Sequence, residues 1–193
     1  TSSVSANTTA GFSVVTWTGT GATATVGHGL GVAPKLYITK DRTNSSTNWH
    51  YHTTQIDGGM DFLFLNTNSA STSSSLSTPS STVITAGGTI NISSANFVSY
   101  VFADVEGYSK FGSYTGNGSA DGVFNYTGFR PAYIMVKVAI GFTNNWHIFD
   151  SATTTYNPDD TYLLANGNGA EVTANPIDFL SNGFKLRNSS QAM

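Results

Sequence analysis

Trp17-Thr18-Gly19-Thr20-Gly21, then Val26-Gly27-His28-Gly29-Leu30-Gly31-Val32-Ala33-Pro34-Lys35, then Asn48-Trp49-His50-Tyr51-His52 are the fixed points of a stretch, residues 17–52, that the chain carries twice. A shift of 97 residues lays it on residues 114–149 without a gap. Thr18, Gly19 and Gly21 then fall on Thr115, Gly116 and Gly118. Val26, Gly31, Pro34 and Lys40 fall on Val123, Gly128, Pro131 and Lys137, and Asn48-Trp49-His50 falls on Asn145-Trp146-His147. Most of these positions are turn formers or large aromatics, which fix backbone shape and packing. Coincident Ser and Thr carry little weight in so polar a chain, but an Asn-Trp-His triplet in register with a proline does. The chain is therefore two copies of one module.

Working outward, residues 1–10 are small and polar and read as a loose arm or linker. Residues 11–107 form the first module and residues 108–193 the second. Leu36-Tyr37-Ile38-Thr39 is the clearest strand, rich in β-branched and aromatic residues. Further strands are expected at Phe12–Trp17, Ala24–Val26, Asn48–Thr53, Phe62–Leu65 and Phe97–Val105. Residues 66–82 are almost all Ser, Thr, Asn and Ala and read as a long edge loop. Val83-Ile84 and Ile90-Asn91-Ile92 flank Gly87-Gly88, which reads as a hairpin. Glu106-Gly107-Tyr108-Ser109 is a short joint. In the second module Tyr133–Val138, Asn145–Phe149 and Tyr162-Leu163-Leu164 repeat the plan. No segment has apolar spacing of i, i+3, i+4, i+7 over three turns, so almost no helix is expected. The fold class is all-β: two tandem, structurally similar antiparallel β-sandwich modules of jelly-roll-like character.

Composition limits the function classes. Of 193 residues, 10% are charged and the net charge is −3, which argues against a phosphate-binding surface and hence against a nucleic-acid partner. Aromatic residues make up 12%, more than a disordered polar tract carries. No apolar run reaches the ~20 residues of a membrane helix, so no membrane insertion is expected. Cysteine is absent, so neither disulfides nor thiolate metal sites are available.

Few residues are candidates for a site. His50 and His52 lie on one face of a strand, a spacing that can present two imidazoles to one metal. The second copy keeps His147 but has Phe149 in the other place, and no third ligand is evident; a hydrogen-bonded or surface role is the favoured reading, with no metal and no cofactor expected. Trp17, Trp49 and Trp146 are candidate stacking platforms for a sugar. The repetition of Trp49 as Trp146 favours packing instead, and the replacement of Trp17 by Tyr114 suits an amphipathic residue at a core edge. Asp104 with Glu106, and Asp159 with Asp160, are the notable carboxylates, but a glycosidase needs two of them facing each other across a cleft. Asn166-Gly167-Asn168-Gly169 lacks the alternating acids of a calcium loop. No catalytic constellation emerges, and the chain is expected not to be an enzyme.

With both copies laid out, the chain resembles a family of β-rich repeats in virion proteins of tailed bacteriophages, often marine. The residues that carry the resemblance are Gly11–Val15 leading to Trp17-Thr18-Gly19, the string Val26–Lys35, Asn48–His52, the joint Val105–Phe111, Gly112–Gly118, Tyr162-Leu163-Leu164 and Asp178-Phe179-Leu180. The resemblance implies a non-enzymatic structural component of a virion, a tail fibre or appendage that contacts the host surface. Alternatives are a capsid decoration or fibre protein with no receptor role, and a carbohydrate-binding module of an adhesin or depolymerase. It also implies homo-oligomers, with a trimer expected for a fibre, other virion proteins as partners, a host surface glycan as a possible ligand, and location on the particle. A trimer would offer His50 and His52 of three subunits to a metal on the three-fold axis. One element has no counterpart: nothing in the second module answers Phe97–Val105. The expectation is that a neighbouring subunit fills that edge or that the chain continues past Met193.

Overall fold

A computed structural model describes residues 2–189 and is all-β. The strands are β1 (Ser2–Asn7), β2 (Phe12–Thr18), β3 (Ala24–Gly27), β4 (Leu36–Asp41), β5 (His50–Thr53), β6 (Asp61–Phe64), β7 (Thr72–Ser73), β8 (Val83–Ala86), β9 (Asn96–Phe102), β10 (Phe124–Tyr126), β11 (Tyr133–Val136), β12 (His147–Asp150), β13 (Asp159–Leu164), β14 (Val172–Leu180) and β15 (Gly183–Leu186). Among the described residues the one helical element is a 3-10 turn, Gly88–Ile90. The chain forms two compact units, Thr1–Phe64 with Ser71–Gly112, and Leu65–Ala70 with Ser113–Met193.

In the first unit an antiparallel sheet runs in the order β1-β2-β9-β4-β5-β6-β7, and β3 with β8 forms a separate two-stranded ladder. Alternation decides what each face carries. Val15 and Trp17 of β2, Phe97 and Val101 of β9, and Tyr37 of β4 point to the same side, where they pack with Val26, Ile84 and Ala86 of the ladder. Leu30, Met60 and Ile90 complete this core. Two polar pairs on that face join neighbouring elements: the Thr39 and Ser99 hydroxyls are 3.0 Å apart, and the Tyr37 hydroxyl donates to the Thr85 carbonyl (3.2 Å), whereas the buried Ser13 hydroxyl has no partner.

In the second unit one antiparallel sheet runs β10-β15-β14-β13-β12-β11. Its core is smaller: Ile134, Phe149, Tyr162, Ile177, Phe179 and Leu186, with Tyr114, Val136, Leu164 and Phe184 against it. A register shift between Asp159 and Thr161 breaks the β13–β14 ladder, beyond which β14 continues to pair with β15.

The duplication extends to the hydrogen-bond register. In the first unit Leu36, Tyr37, Ile38 and Thr39 face Thr53, His52, Tyr51 and His50; in the second Tyr133, Ile134, Met135 and Val136 face Asp150, Phe149, Ile148 and His147. Every pair is displaced by the same 97 residues. Phe62↔Thr72 and Asp61↔Ser73 reappear as Tyr162↔Val172 and Thr161↔Thr173, now displaced by 100. Two glycines explain their own repetition: Gly21 and Gly118 (φ +79° and +65°), and Gly31 and Gly128 (φ +76° and +85°), hold left-handed backbone at matching places.

Three expectations are corrected. Residues 1–10 are not a loose arm: Ser2–Asn7 pairs along its whole length with β2, although all six side chains are exposed. The first unit extends to Gly112 and not to residue 107. Val105 and Ser109 form a two-way bridge (3.0 and 2.9 Å), Asp104 accepts from the Phe111 amide (2.9 Å), and Phe111 packs on Phe102. The hairpin around Gly87-Gly88 does not form either, because Asn91 is needed elsewhere.

Asn91 is fully buried and uses its whole amide. Its Oδ1 accepts from the Trp17 indole (3.1 Å) and the Thr20 amide (3.3 Å), and its Nδ2 donates to Thr20 Oγ1 (2.9 Å) and the Ala22 carbonyl (2.6 Å). The 3-10 turn delivers Asn91 to this position, where it fixes the turn that follows β2. Asn91→Ala would leave the indole N–H and the turn unpaired, at a cost of about 1–3 kcal/mol. A drop of that size in the urea midpoint, followed by tryptophan fluorescence, is the expected result; an unchanged midpoint would show that the hub is dispensable.

Candidate functional site: a histidine-lined cavity in the first unit

β5 carries His50 and His52 on the inner face of the first sheet, while Tyr51 and Thr53 alternate to the other face. Both imidazoles are buried. They stack on each other (centroids 5.8 Å, 13°), His52 lies flat on Tyr37 (4.8 Å, 8°), and His50 meets Phe64 edge-on (4.9 Å). A cavity of about 250 Å3 opens beside them, lined also by Phe62, Ser74, Leu76 and Thr89. Thr89 Oγ1 lies 3.5 Å from His50 Nε2, and His52 Nδ1 is buried with no hydrogen-bond partner.

Burial, reinforced by the charge of Lys40, lowers the His50 imidazole to about 4; burial, reinforced by His50, lowers His52 to about 3. Both rings are therefore neutral at neutral pH. Two neutral imidazoles beside serine and threonine hydroxyls and a phenyl ring can hold a small uncharged molecule through hydrogen bonds and apolar contact. A metal centre is a poor fit: among the described residues no three His, Cys, Asp or Glu side chains gather to hold an ion. Both rings lie on the inner face of the sheet and border the cavity.

His28 is a separate, structural case. Its Nδ1 accepts from the Leu30 amide (3.2 Å), which leaves the proton on Nε2 to meet the Ser80 carbonyl (3.2 Å). In the second unit His147 takes the place of His50, packs edge-on against Tyr162 (4.7 Å), and is lowered mainly by burial. Phe149 fills the place of His52 and is fully buried.

The three tryptophans are not brought together. Trp17 is buried against Phe97 (5.3 Å, 17°) with its N–H committed to Asn91, although its edge touches a cleft of about 200 Å3 beside Arg42. Trp49 is half-buried and stacks on Tyr100 of β9 (6.5 Å, 17°), whereas Trp146 is buried, its backbone amide bonded to Asn166 Oδ1 (2.9 Å). The repeated tryptophans thus differ in depth. Asp104 is tied to Lys110 (2.9 Å) and Asp159 is buried, its Oδ1 accepting from the Thr161 amide (3.1 Å). What the sequence missed was the cavity itself, because Ser74 and Thr89 belong to polar runs with no pattern of their own.

The fold and its repeated register define an all-β protein of two related units. The chain belongs to the family described as a domain of unknown function, DUF7483, whose model matches residues 1–193. A comparison with curated proteins finds no match, and a comparison with solved structures finds none.

The two histidines make stability pH-dependent. In the unfolded chain they titrate near 6.5; in the fold they resist protonation until about 4 and 3. The unfolded state therefore binds more protons across that window, and stability is complete above pH 6.5 and falls as the pH drops toward 3, by on the order of a few kcal/mol. His52→Phe copies the solution at Phe149, and we expect it to fold and to flatten the fall in urea midpoint between pH 6.5 and pH 4. A variant with the wild-type slope would show that His52 is not the group responsible.

Proposed function

We propose that the chain is a non-enzymatic structural component of a bacteriophage virion, an element of a tail fibre or appendage that meets the host surface. The observation that carries this reading is the twofold construction of one strand pairing, β4–β5 and β11–β12, in identical register. A module repeated along a chain suits an extended, load-sharing assembly, and the cysteine-free, weakly charged sequence suits an exposed particle. Homo-oligomerisation, as a trimer in a fibre, belongs to the same reading, since many copies on one particle convert weak contacts into avidity. Antibody labelling of purified particles tests it: label on the tail or its appendages is the expected result, label on the capsid would favour a decoration protein, and particles free of the protein would overturn the proposal.

One observation favours a second reading, that of a glycan-binding module. The cavity beside His52 offers a free imidazole nitrogen, hydroxyls and the Phe62 ring, the mixture by which proteins hold a sugar. A saturable glycan-array signal that His52→Phe abolishes, with folding intact, would support it. A signal unchanged by that substitution would place any sugar elsewhere.

A further inference from the structure

The polar lining of the first unit's cavity is not required by the sheet that carries it. The second unit repeats the β4–β5 pairing with Phe149 in the place of His52, and Tyr162, in the place of Phe62, packs edge-on against His147 (4.7 Å). A phenyl ring therefore satisfies the packing there. The first unit instead gathers groups of one chemical kind. Neutral His50 and His52 and the hydroxyls of Thr23, Ser74 and Thr89 can each donate and accept a hydrogen bond. Among the described residues no Lys, Arg, Asp or Glu lines the cavity. Lys40, whose charge reaches His50, is committed to oxygens of Asn44, Ser45 and Thr47 (2.7–3.4 Å). Thr89 Oγ1 and His50 Nε2 are 3.5 Å apart, at the long limit of a hydrogen bond, so each keeps capacity for a closer partner.

Resting on the glycan-binding reading above, we infer that this cavity takes one uncharged pyranose ring, the terminal sugar of a glycan, and rejects sugars that bear a carboxylate. Ring hydroxyls donate and accept as the lining does, and one of them set between Thr89 and His50 can accept from the first and donate to the second. The C–H face of the ring meets the apolar side formed by Phe62, Leu76 and Ile90. A carboxylate would give up its hydration with no cation to meet it, a loss that hydrogen bonds to neutral groups do not repay. Size sets the limit of one ring. At about 250 Å3 the cavity is smaller than the roughly 300–1,000 Å3 that holds a drug-sized ligand, so an internal sugar with neighbours on both sides does not fit.

Saturation-transfer NMR on the full chain tests this with the methyl glycosides of glucose, galactose, mannose, fucose and N-acetylglucosamine against those of glucuronic acid and N-acetylneuraminic acid. At least one neutral glycoside should bind, and the carboxylated ones should bind about tenfold more weakly or not at all. Esterifying the glucuronide, which removes its charge and keeps its ring, should restore binding to the level of the glucoside. Thr89 is exposed, so Thr89→Val should leave the urea midpoint unchanged while weakening the neutral sugar several-fold. Equal or tighter binding of the carboxylated sugars would overturn this inference and leave the glycan-binding reading standing. So would a glycan-array signal confined to longer chains with every single-ring glycoside silent. A neutral sugar whose binding Thr89→Val and His52→Phe both leave unchanged would overturn it by placing the sugar elsewhere. Silence from the glycosides and from the array together would sink both.

Discussion

The double-sided pairing of β9 is the constraint on which the first unit depends. A strand bonded on both edges must bury one face completely, and Phe97, Ser99 and Val101 do so. Their alternation fixes which faces of β2 and β4 turn inward, because a slip of one residue would expose Phe97 and bury Val98. Trp17 is then placed on Phe97, and Tyr37 is placed to reach Thr85 in the covering ladder. The inner position of His50 and His52 follows from the pairing of β5 with β4. The histidine cavity is thus a consequence of a strand that does not line it.

In the second unit the β4–β5 pairing recurs as β11–β12 in a different setting. Its core contains fewer large groups, and its third and fourth strands turn the sheet onward through a bulge and a long strand, β14, that links back to β15 and β10. Phe149 replaces the inner imidazole of the first copy. The same scaffold thus tolerates either a neutral histidine or a phenyl ring at one place, because burial has already removed the charge that would distinguish them.

Much of this was legible in the sequence because the repeat is written in residues whose roles are geometrical. Gly21 and Gly31 mark left-handed turns, and the Leu36–Thr39 run marks a strand buried on alternate sides. Other parts were hidden for physical reasons. β1 is held along its whole length by backbone pairing with β2 while its side chains stay exposed, so Ser2–Asn7 has no burial pattern to betray it. The Gly87-Gly88 segment has the composition of a hairpin, but a long-range amide network through Asn91 overrides that local preference. The depth of His50 and His52 was also invisible, since two polar residues spaced by two identify a common face without saying which way it points.

The change of displacement from 97 to 100 has a consequence for how these units can diverge. Between Thr53 and Asp61 the first copy has seven residues, and between the matching Asp150 and Thr161 the second has ten. One of the extra residues lengthens the connection, since eight residues separate β12 from β13 where seven separate β5 from β6, and two lie at the start of β13, where its ladder with β14 shifts register. The sheet absorbed the insertion locally: His147↔Leu164 and Ile148↔Leu163 repeat His50↔Phe64 and Tyr51↔Leu63, but the two pairs beside the connection are not repeated. The same connection is therefore a natural port for engineering, where an epitope or a fluorophore-bearing segment can be spliced while the pairs farther along the strands hold.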